Sequence, residues 1–301
     1  MYDLIVVGGG PAGLTATIYA LRKRLNVLMV SKDLGGKTQW NLALPWISDY
    51  QVIRGLEVVN KFKSELEYLD FARHMEAVEK ITQDGDIFVV HTHGGGELQA
   101  RAVIIATGTK QMTLKVPGER EFMMKGMCYS ALSYAPLFID RTTIVVGEGD
   151  LAMRSAAELS TIAQQVYVVC ANDKALHTPM GEKVSSSPNV KILMGYEVAE
   201  IKGDDYARGI ALKDPAGTLS ELAADAIFIE KALIPNTQIV AGLVDMDEEG
   251  RIRVDCSCRT NIPGILAAGD ATSGFAEQVL IAVGEGAKAA LSAYEYLLPR
   301  L

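Results

Sequence analysis

The chain opens with a short apolar run, a glycine turn and a helical pattern. Residues 4–7 are apolar and fit a strand buried on both faces, which ends at Gly8. Residues 11–24 carry apolar side chains at helical spacing, and a second apolar run covers 26–30. This order predicts a strand, a glycine turn, a helix and a second strand.

The same order recurs in the middle of the chain. Residues 142–146 end in three apolar residues and fit a strand, a turn follows at 147–149, a helical pattern covers 151–163, and an apolar run covers 166–169. Two such units predict an α/β protein with two Rossmann-like nucleotide-binding lobes.

The remaining patterns extend both lobes. Residues 101–108 and 264–269 read as two further buried strands, and 277–297 reads as a long helix. Residues 195–230 alternate in short runs broken by glycine and proline, which suits hairpin strands.

Composition narrows the class of protein. A chain of 301 residues with 49% hydrophobic and 22% charged residues predicts a packed globular protein of two domains. The net charge of -8 offers no basic face to a phosphate backbone, so we expect no nucleic-acid partner. No stretch approaches the ~18 apolar residues of a membrane helix, and the opening residues lack the basic start of a signal peptide. We therefore expect a cytoplasmic protein with no membrane partner.

The first glycine turn has a dinucleotide-binding spacing, Gly8-x-Gly10-x-x-Gly13, between a predicted strand and a predicted helix. The glycines allow a tight turn, a close approach of backbone to pyrophosphate, and close packing of helix on strand. The acidic residue that usually ends the second strand and binds a ribose is missing, because Ser31 and Lys32 stand there. The Ser31 hydroxyl can still bond a ribose.

Five segments resemble the low-molecular-weight thioredoxin reductases and follow in that family's order. They are GGGPAGLTATIYALRKRLNVLMV at 8–30, the Gly35-Gly36-Lys37 turn, IIATGT at 104–109, PNT at 235–237, and IPGILAAGDATSG at 262–274. The resemblance implies a three-layer FAD-binding domain of residues 1–111 and 237–301, with an NAD(P)-binding-like domain of residues 112–236 inserted into it.

The resemblance also implies FAD as the cofactor and assigns its contacts. Asp270 takes the role of ribityl acceptor, while Gln278 and Val279 run along the flavin ring. The full set of implied FAD-binding residues is Gly8, Gly10, Pro11, Ala12, Gly13, Ser31, Lys32, Gly36, Lys37, Ala77, Val78, Ala106, Thr107, Gly108, Gly269, Asp270, Glu277, Gln278 and Val279.

The second lobe keeps a dinucleotide turn but lacks a phosphate clamp. Its implied contacts are Gly147, Gly149, Asp150, Leu151 and Ala152, with alanine in the third glycine place. NADPH-using members end the next strand in His-Arg-Arg, whereas 170–172 here reads Cys-Ala-Asn, followed by an aspartate. A 2′-phosphate would meet no cation there, so NADPH is a poor candidate donor. Three alternatives stay open for this lobe: it binds NADH, it binds another nucleotide such as a second FAD, or it has lost nicotinamide binding.

Ser130 and Ser133 stand where the family places its redox-active CxxC pair. Serine cannot form a disulfide, so the chain as written cannot pass electrons through this pair. The serines belong either to a natural relative without thiols or to an engineered form of a CxxC protein, and the sequence leaves this open.

Cys128 has no cysteine near it in sequence, which predicts an unpaired buried residue. Cys256-x-Cys258 has no second pair, so no metal is expected.

The resulting hypothesis is an FAD-dependent oxidoreductase on a thioredoxin-reductase scaffold. One alternative is a thiol-free flavoprotein that transfers electrons between ferredoxin and NAD(P) or another flavin, and a second is a non-catalytic flavin-binding protein. The implied partners are a thioredoxin-like or ferredoxin-like redox protein and a second copy of the chain. For the homodimer, the last helix offers Ala287, Ala290, Leu291 and Leu297 at helical spacing.

Three aromatic residues follow the Gly35-Gly36 turn. Trp40, Trp46 and Tyr50 either shield a flavin or fill an interface between the two lobes.

Overall fold

The computed structural model describes residues 1–48, 55–274 and 276–301. The described strands are β1 Tyr2–Val7, β2 Val27–Val30, β3 Arg73–His74, β4 Val78–Asp84, β5 Ile87–Thr92, β6 Glu97–Ile105, β7 Thr109–Gln111, β8 Met127–Cys128, β9 Thr142–Val146, β10 Gln165–Cys170, β11 Val190–Met194, β12 Glu197–Gly203, β13 Ala207–Lys213, β14 Leu219–Ala223, β15 Ala226–Ile229, β16 Leu233–Pro235 and β17 Ile265–Ala267. The described helices are α1 Pro11–Arg22, α2 Leu56–Glu67, α3 Glu119–Phe122, α4 Ala131–Tyr134, α5 Asp150–Ser160, α6 Pro179–Ser186 and α7 Val279–Leu297.

The chain divides into two compact units. Unit 1 comprises Met1–Gln39, Ile53–Lys110 and Ile234–Leu301, and unit 2 comprises Trp40–Val52 and Gln111–Leu233. The segment Trp40–Val52 therefore groups with unit 2, although its place in the sequence predicts that it belongs to the FAD-binding domain.

Unit 1 is built on a parallel sheet in the order β3-β2-β1-β6-β17, and the β4-β5 hairpin pairs with the first half of β6. Alternate residues of β1 point into different apolar clusters: Leu4 and Val6 pack on one face, Ile5 and Val7 on the other. This explains the uninterrupted apolar run, because a parallel strand covered on both faces has no polar side.

Helices α1 and α7 pack tightly on one face of this sheet. A side chain at Gly286 of α7 would collide with the carbonyl oxygen of Ala12 in α1, so the two backbones approach closely. The contact anchors the start of α1, which follows the glycine turn.

Unit 2 has a parallel sheet in the order β11-β10-β9-β15-β8, with α5 between β9 and β10. A separate antiparallel sheet, β12-β13-β14, follows β11. No helix among the described residues is long and apolar enough to cross a membrane.

The predicted α/β fold with two strand-turn-helix-strand units is confirmed. Several bounds differ. The predicted strand 101–108 is β6, which ends at Ile105 and leaves 106–108 as the turn beyond it. The predicted helix 277–297 begins at Val279, so Glu277 and Gln278 precede it.

Candidate functional site

Four parallel strands of unit 1 end at one level. Val7 of β1 is paired with Val30 of β2 and with Ile105 of β6, and Ile105 is paired with Ala267 of β17. The predicted cofactor segments that follow these strands therefore meet at one edge of the sheet. The carboxyl edge is where doubly wound sheets bind nucleotides.

The structure of the first glycine turn explains why glycine stands at positions 8 and 13. Gly8 has φ +115°, and a side chain there would collide with the carbonyl oxygen of Ala106. A side chain at Gly13 would collide with the carbonyl oxygen of Gly8, whereas the space around Gly10 is open. Gly10 precedes Pro11, the first residue of α1, so the open position lies at a helix N-terminus suited to a pyrophosphate.

A second glycine turn packs against the first. Gly35 donates its N–H to the carbonyl oxygen of Gly9 at 2.6 Å. Gly36 has φ +55°, and a Cβ there would lie 3.2 Å from the Cα of Gly10. The chain after β2 is thereby held beside the first turn.

Lys37 follows this turn and joins two distant strand ends. Its ammonium donates to Asp270 Oδ2 at 2.6 Å and to Thr109 Oγ1 at 2.8 Å. Asp270 follows β17 and Thr109 follows the turn after β6. Glu285 of α7 accepts the N–H of Gly269 at 2.7 Å and fixes the loop that carries Asp270.

One buried polar atom at this edge has no partner. The hydroxyl of Thr107 is buried without a hydrogen bond within the part of the chain that the structure describes. An unpaired buried hydroxyl is costly unless a ligand satisfies it. Together with the open space at Gly10 and the carboxylate of Asp270, this hydroxyl fits a hydroxyl-rich dinucleotide such as FAD.

The other predicted cofactor residues of unit 1 lie near the same edge or beyond it. Ser31 uses its hydroxyl within its own turn, donating to the carbonyl oxygen of Asp33 at 2.8 Å, and Lys32 is exposed. Ala77 and Val78 come just after β3, whose last residue pairs with Val30. Glu277 is exposed, and Gln278 and Val279 form the start of α7.

Unit 2 repeats this arrangement at its own carboxyl edge. Gly149 caps α5, which begins with Asp150 and Leu151. A side chain at Gly147 would collide with the carbonyl oxygen of Glu230 and would come within 2.9 Å of the Cβ of Ala152. Glycine in the first place therefore makes room for alanine in the third.

The strand that should carry the phosphate clamp ends in Cys170. Asn172 Oδ1 accepts the N–H of Lys174 at 3.1 Å, and Asp173 Oδ2 lies 3.1 Å from His177 Nε2. The imidazole of His177 lowers the pKa of the Asp173 carboxyl. The nearest cation in sequence, Lys174, comes after the three clamp positions.

Ser130 and Ser133 lie together. Ser130 caps α4, and its hydroxyl donates to Ser133 Oγ at 3.0 Å. The two positions are thus close enough for paired side chains.

Cys128 is buried, as predicted, and burial raises the pKa of its thiol. Cys170 and Cys258 are also buried, whereas Cys256 is exposed.

Glu230 is buried beside this pair, and it is absent from the residues predicted from the sequence. It is 1% exposed, and its Oε1 accepts the N–H of Ala131 at 2.7 Å and the Ser155 hydroxyl at 2.8 Å. Burial raises the pKa of its carboxyl to about 7. An acidic residue in the apolar run 226–230 was the available signal, since a buried charge needs partners.

The packing bears on two other expectations, the place of the aromatic residues after the Gly35-Gly36 turn and the dimer surface of α7. Trp46 packs edge-on against Phe138 at 5.8 Å within unit 2, and its indole N–H donates to the carbonyl oxygen of Leu137 at 3.2 Å. Trp40 also packs on a unit 2 cluster, and Tyr50 lies outside the described residues. Ala290 and Leu297 were expected at a dimer surface, but they are buried in the core of unit 1, because they face α1 and the sheet.

Comparisons with known proteins find similar sequences and a similar structure over nearly the whole chain. The sequence profile described as pyridine nucleotide-disulphide oxidoreductase matches residues 2–286. The F component of the alkyl hydroperoxide reductase of Pseudomonas aeruginosa PAO1 is 32% identical over 304 residues, which covers 99% of this chain and 58% of the relative. An NADH dehydrogenase of Bacillus subtilis 168 is 30% identical over 300 residues and is covered to 59%, against 99% of this chain. This chain thus spans less than two thirds of these curated relatives.

Among solved structures, thioredoxin reductase from Streptococcus pyogenes MGAS5005 has a TM-score of 0.89 and 33% identity, with 99% of both chains covered. The likeness extends over both units.

Proposed function

Because the chain belongs to the pyridine nucleotide-disulphide oxidoreductase family, we propose that it is an FAD-dependent oxidoreductase of the thioredoxin-reductase type, with the flavin held by unit 1. The observation that supports this most is the convergence of Lys37, Asp270 and the unpaired Thr107 hydroxyl at the edge that begins with the Gly8 turn. FAD supplies two-electron redox chemistry when bound.

The residues at the carboxyl edge of the unit 1 sheet would bind different parts of FAD. The open backbone around Gly10 and the N-terminus of α1 face the pyrophosphate. Asp270 would accept ribityl hydroxyls while Lys37 holds its carboxylate in place, and Thr107 would gain the hydrogen bond that it lacks. Gln278 and Val279, at the start of α7, would contact the flavin.

In unit 2 the dinucleotide turn takes a nucleotide without a 2′-phosphate, or a second flavin, because no cation occupies 170–172. Ser130 and Ser133 occupy the dithiol positions, so disulfide exchange is absent from the chain as written. If the parent protein has cysteines there, its reaction is reduction of a thioredoxin-like disulfide.

A second candidate is a thiol-free electron-transfer flavoprotein working with ferredoxin and NAD(P) or another flavin. The observation that favours it is the direct hydrogen bond between the Ser130 and Ser133 hydroxyls, which satisfies the pair without any thiol. Both candidates work as homodimers, with the exposed side chain of Leu291 on α7 available for packing against a second copy.

The test is the flavin content of the purified protein and of the variant Asp270→Ala. The native protein should be yellow with close to one FAD per chain in unit 1, and the variant should lose most of it on dialysis. Asp86→Ala, an exposed aspartate in the β4-β5 turn, is the control and should keep its flavin. Full occupancy in Asp270→Ala would contradict the assigned site, and light scattering of the same samples checks the dimer.

A further inference from the structure

Glu230 occupies a central position in the sheet of unit 2. In the sheet order β9-β15-β8, Gly147 follows β9, Glu230 follows β15, and Ser130 comes two residues after the end of β8. The registers pair Ile229 with Val146 and Phe228 with Cys128, so these three segments leave the sheet at the same edge. Glu230 therefore lies between the dinucleotide turn and the serine pair.

Its backbone and its carboxyl face different neighbours. The backbone N–H bonds to the carbonyl oxygen of Val146 at 2.8 Å, and the Glu230 carbonyl abuts Gly147. The carboxyl reaches Ala131 at the start of α4 and Ser155 on α5. One carboxyl thus ties the serine segment to the helix that follows the dinucleotide turn.

The second carboxyl oxygen of Glu230 lacks the hydrogen bonds that the first one accepts. Glu230 Oε2 is buried and has no hydrogen-bond partner among the described residues. An ionised Glu230 leaves this oxygen uncompensated, whereas a protonated one leaves only a neutral O–H unpaired, which costs less. The neighbourhood therefore favours the protonated form.

Few charged groups face this carboxyl. The Cys128 thiol on β8 stays neutral, since burial, together with the charge of Glu230, raises its pKa well above the usual range, so it adds no charge beside the carboxyl. Helix α4 offers a backbone N–H and α5 offers the Ser155 hydroxyl. The adjoining turn carries the carboxylates of Glu148 and Asp150, and Lys231 follows Glu230 in the chain. A bound pyrophosphate at Gly147 would add two negative charges to this side.

We propose that Glu230 is a proton-linked positioning residue of unit 2, which takes up a proton from solvent when the pyrophosphate of a dinucleotide binds at the Gly147 turn. This rests on the proposed nucleotide-binding role of unit 2. The ligand class is a dinucleotide pyrophosphate, either NADH or a second FAD, and it binds more weakly as the pH rises and Glu230 ionises. Only a proton moves, and no bond to the nucleotide forms.

The experiment measures the binding of NADH, and separately of FAD added beyond the tightly bound equivalent, to the purified holoprotein by calorimetry between pH 6 and pH 8.5. We expect the affinity of one of the two to fall about tenfold across this range, which corresponds to one unit of differential pKa. Calorimetry in two buffers of different ionisation enthalpy should show uptake of about half a proton between pH 7 and pH 8, as a one-unit pKa difference requires.

Glu230→Gln keeps an oxygen to accept the Ala131 N–H, so it should fold and bind with an affinity that no longer depends on pH. Ser155→Ala removes a bond that favours the ionised form, so the fall should move to higher pH. Glu182→Gln on the exposed side of α6 should keep the native profile.

A native affinity that does not change with pH, an unchanged slope in Glu230→Gln, or no binding of either nucleotide at pH 6 would each overturn the proposal. The flavin absorbance of the same samples separates the two ideas. If the pH dependence is absent while unit 1 still holds its flavin, the proposal for Glu230 fails and the flavoenzyme assignment stands. A purified protein without flavin would count against the flavoenzyme assignment itself.

Discussion

Lys37 Nζ lies 2.6 Å from Asp270 Oδ2, although the two residues are 233 positions apart in the chain. The pair brings the turn after β2 to the turn after β17, and it places a cation on the carboxylate proposed to take the ribityl chain. The stability of the cofactor site should therefore depend on Lys37 as well as on Asp270.

Replacing Lys37 with Met should raise the dissociation constant of FAD about tenfold. The pair is partly exposed, so we take the lower end for a charge-assisted hydrogen bond, about 1.5 kcal/mol. Fluorescence titration of the flavin-free protein measures this. Lys61→Met on the exposed face of α2 is the control, and an equal effect of both variants would contradict the specific role of Lys37.

Two glycines of the first turn should respond differently to alanine. Gly13→Ala drives a Cβ into the carbonyl oxygen of Gly8, so it should lower the melting temperature and lose flavin. Gly10→Ala meets no protein atom, so the flavin-free protein should melt normally while FAD binds more weakly. Scanning calorimetry with and without FAD separates the two effects. Normal FAD binding by Gly10→Ala would argue against pyrophosphate at this position.

NADPH should reduce the flavin no faster than NADH, because residues 170–172 offer no cation to a 2′-phosphate. The double variant Ala171→Arg and Asn172→Arg should improve NADPH selectively by about tenfold or more, since each new charge-assisted bond contributes roughly 1.5 to 3 kcal/mol. Anaerobic stopped-flow bleaching gives the rates. The same two positions changed to Gln form the uncharged control, and rapid NADPH-selective bleaching of the native protein would refute the idea.

The serine pair should be unable to reduce a disulfide with any donor, since exchange needs a thiolate to attack and a second thiol to release the mixed disulfide. Installing cysteine at both 130 and 133 should create that ability, because the two hydroxyls already lie 3.0 Å apart. The measurement is the thiol count on an added thioredoxin-like protein after reduction with dithionite. Each single Ser→Cys variant is a control that should release no product. An inert double variant would favour the thiol-free function.

Glu230 should make the folded protein less stable at high pH. Its folded pKa of about 7 lies above the ordinary 4.5, so the folded state holds the proton more tightly between these values. Stability from this group is present below pH 4.5 and is lost as the pH rises through 7, by up to about 3 kcal/mol. Urea unfolding at pH 5 and pH 8 should show a larger loss in the native protein than in Glu230→Gln. Identical losses would show that the carboxyl does not titrate in this range.

The framework of both sheets could be predicted from the sequence, because strands buried on two faces contain uninterrupted apolar runs such as 4–7 and 144–146. The β4-β5 hairpin was missed. Its exposed positions break the apolar pattern, and its pairing with β6 is set by tertiary packing.

The glycine turns could be predicted because their spacing follows from backbone sterics. The partners of Lys37 could not, since an ion pair between residues 37 and 270 depends on the relative position of β2 and β17 in the folded sheet. Glu230 could not be identified as a hydrogen-bonded buried acid for the same reason. Its partners Ala131 and Ser155 come from two other elements, and no local pattern marks them.

The uneven burial of the four cysteines makes the protein suited to site-specific labelling without mutagenesis. Cys256 is exposed, while Cys128, Cys170 and Cys258 are enclosed by packing. A maleimide dye should therefore attach once per chain, on unit 1. Such a fluorophore would let single-molecule or anisotropy measurements observe the protein without any substitution in its sequence.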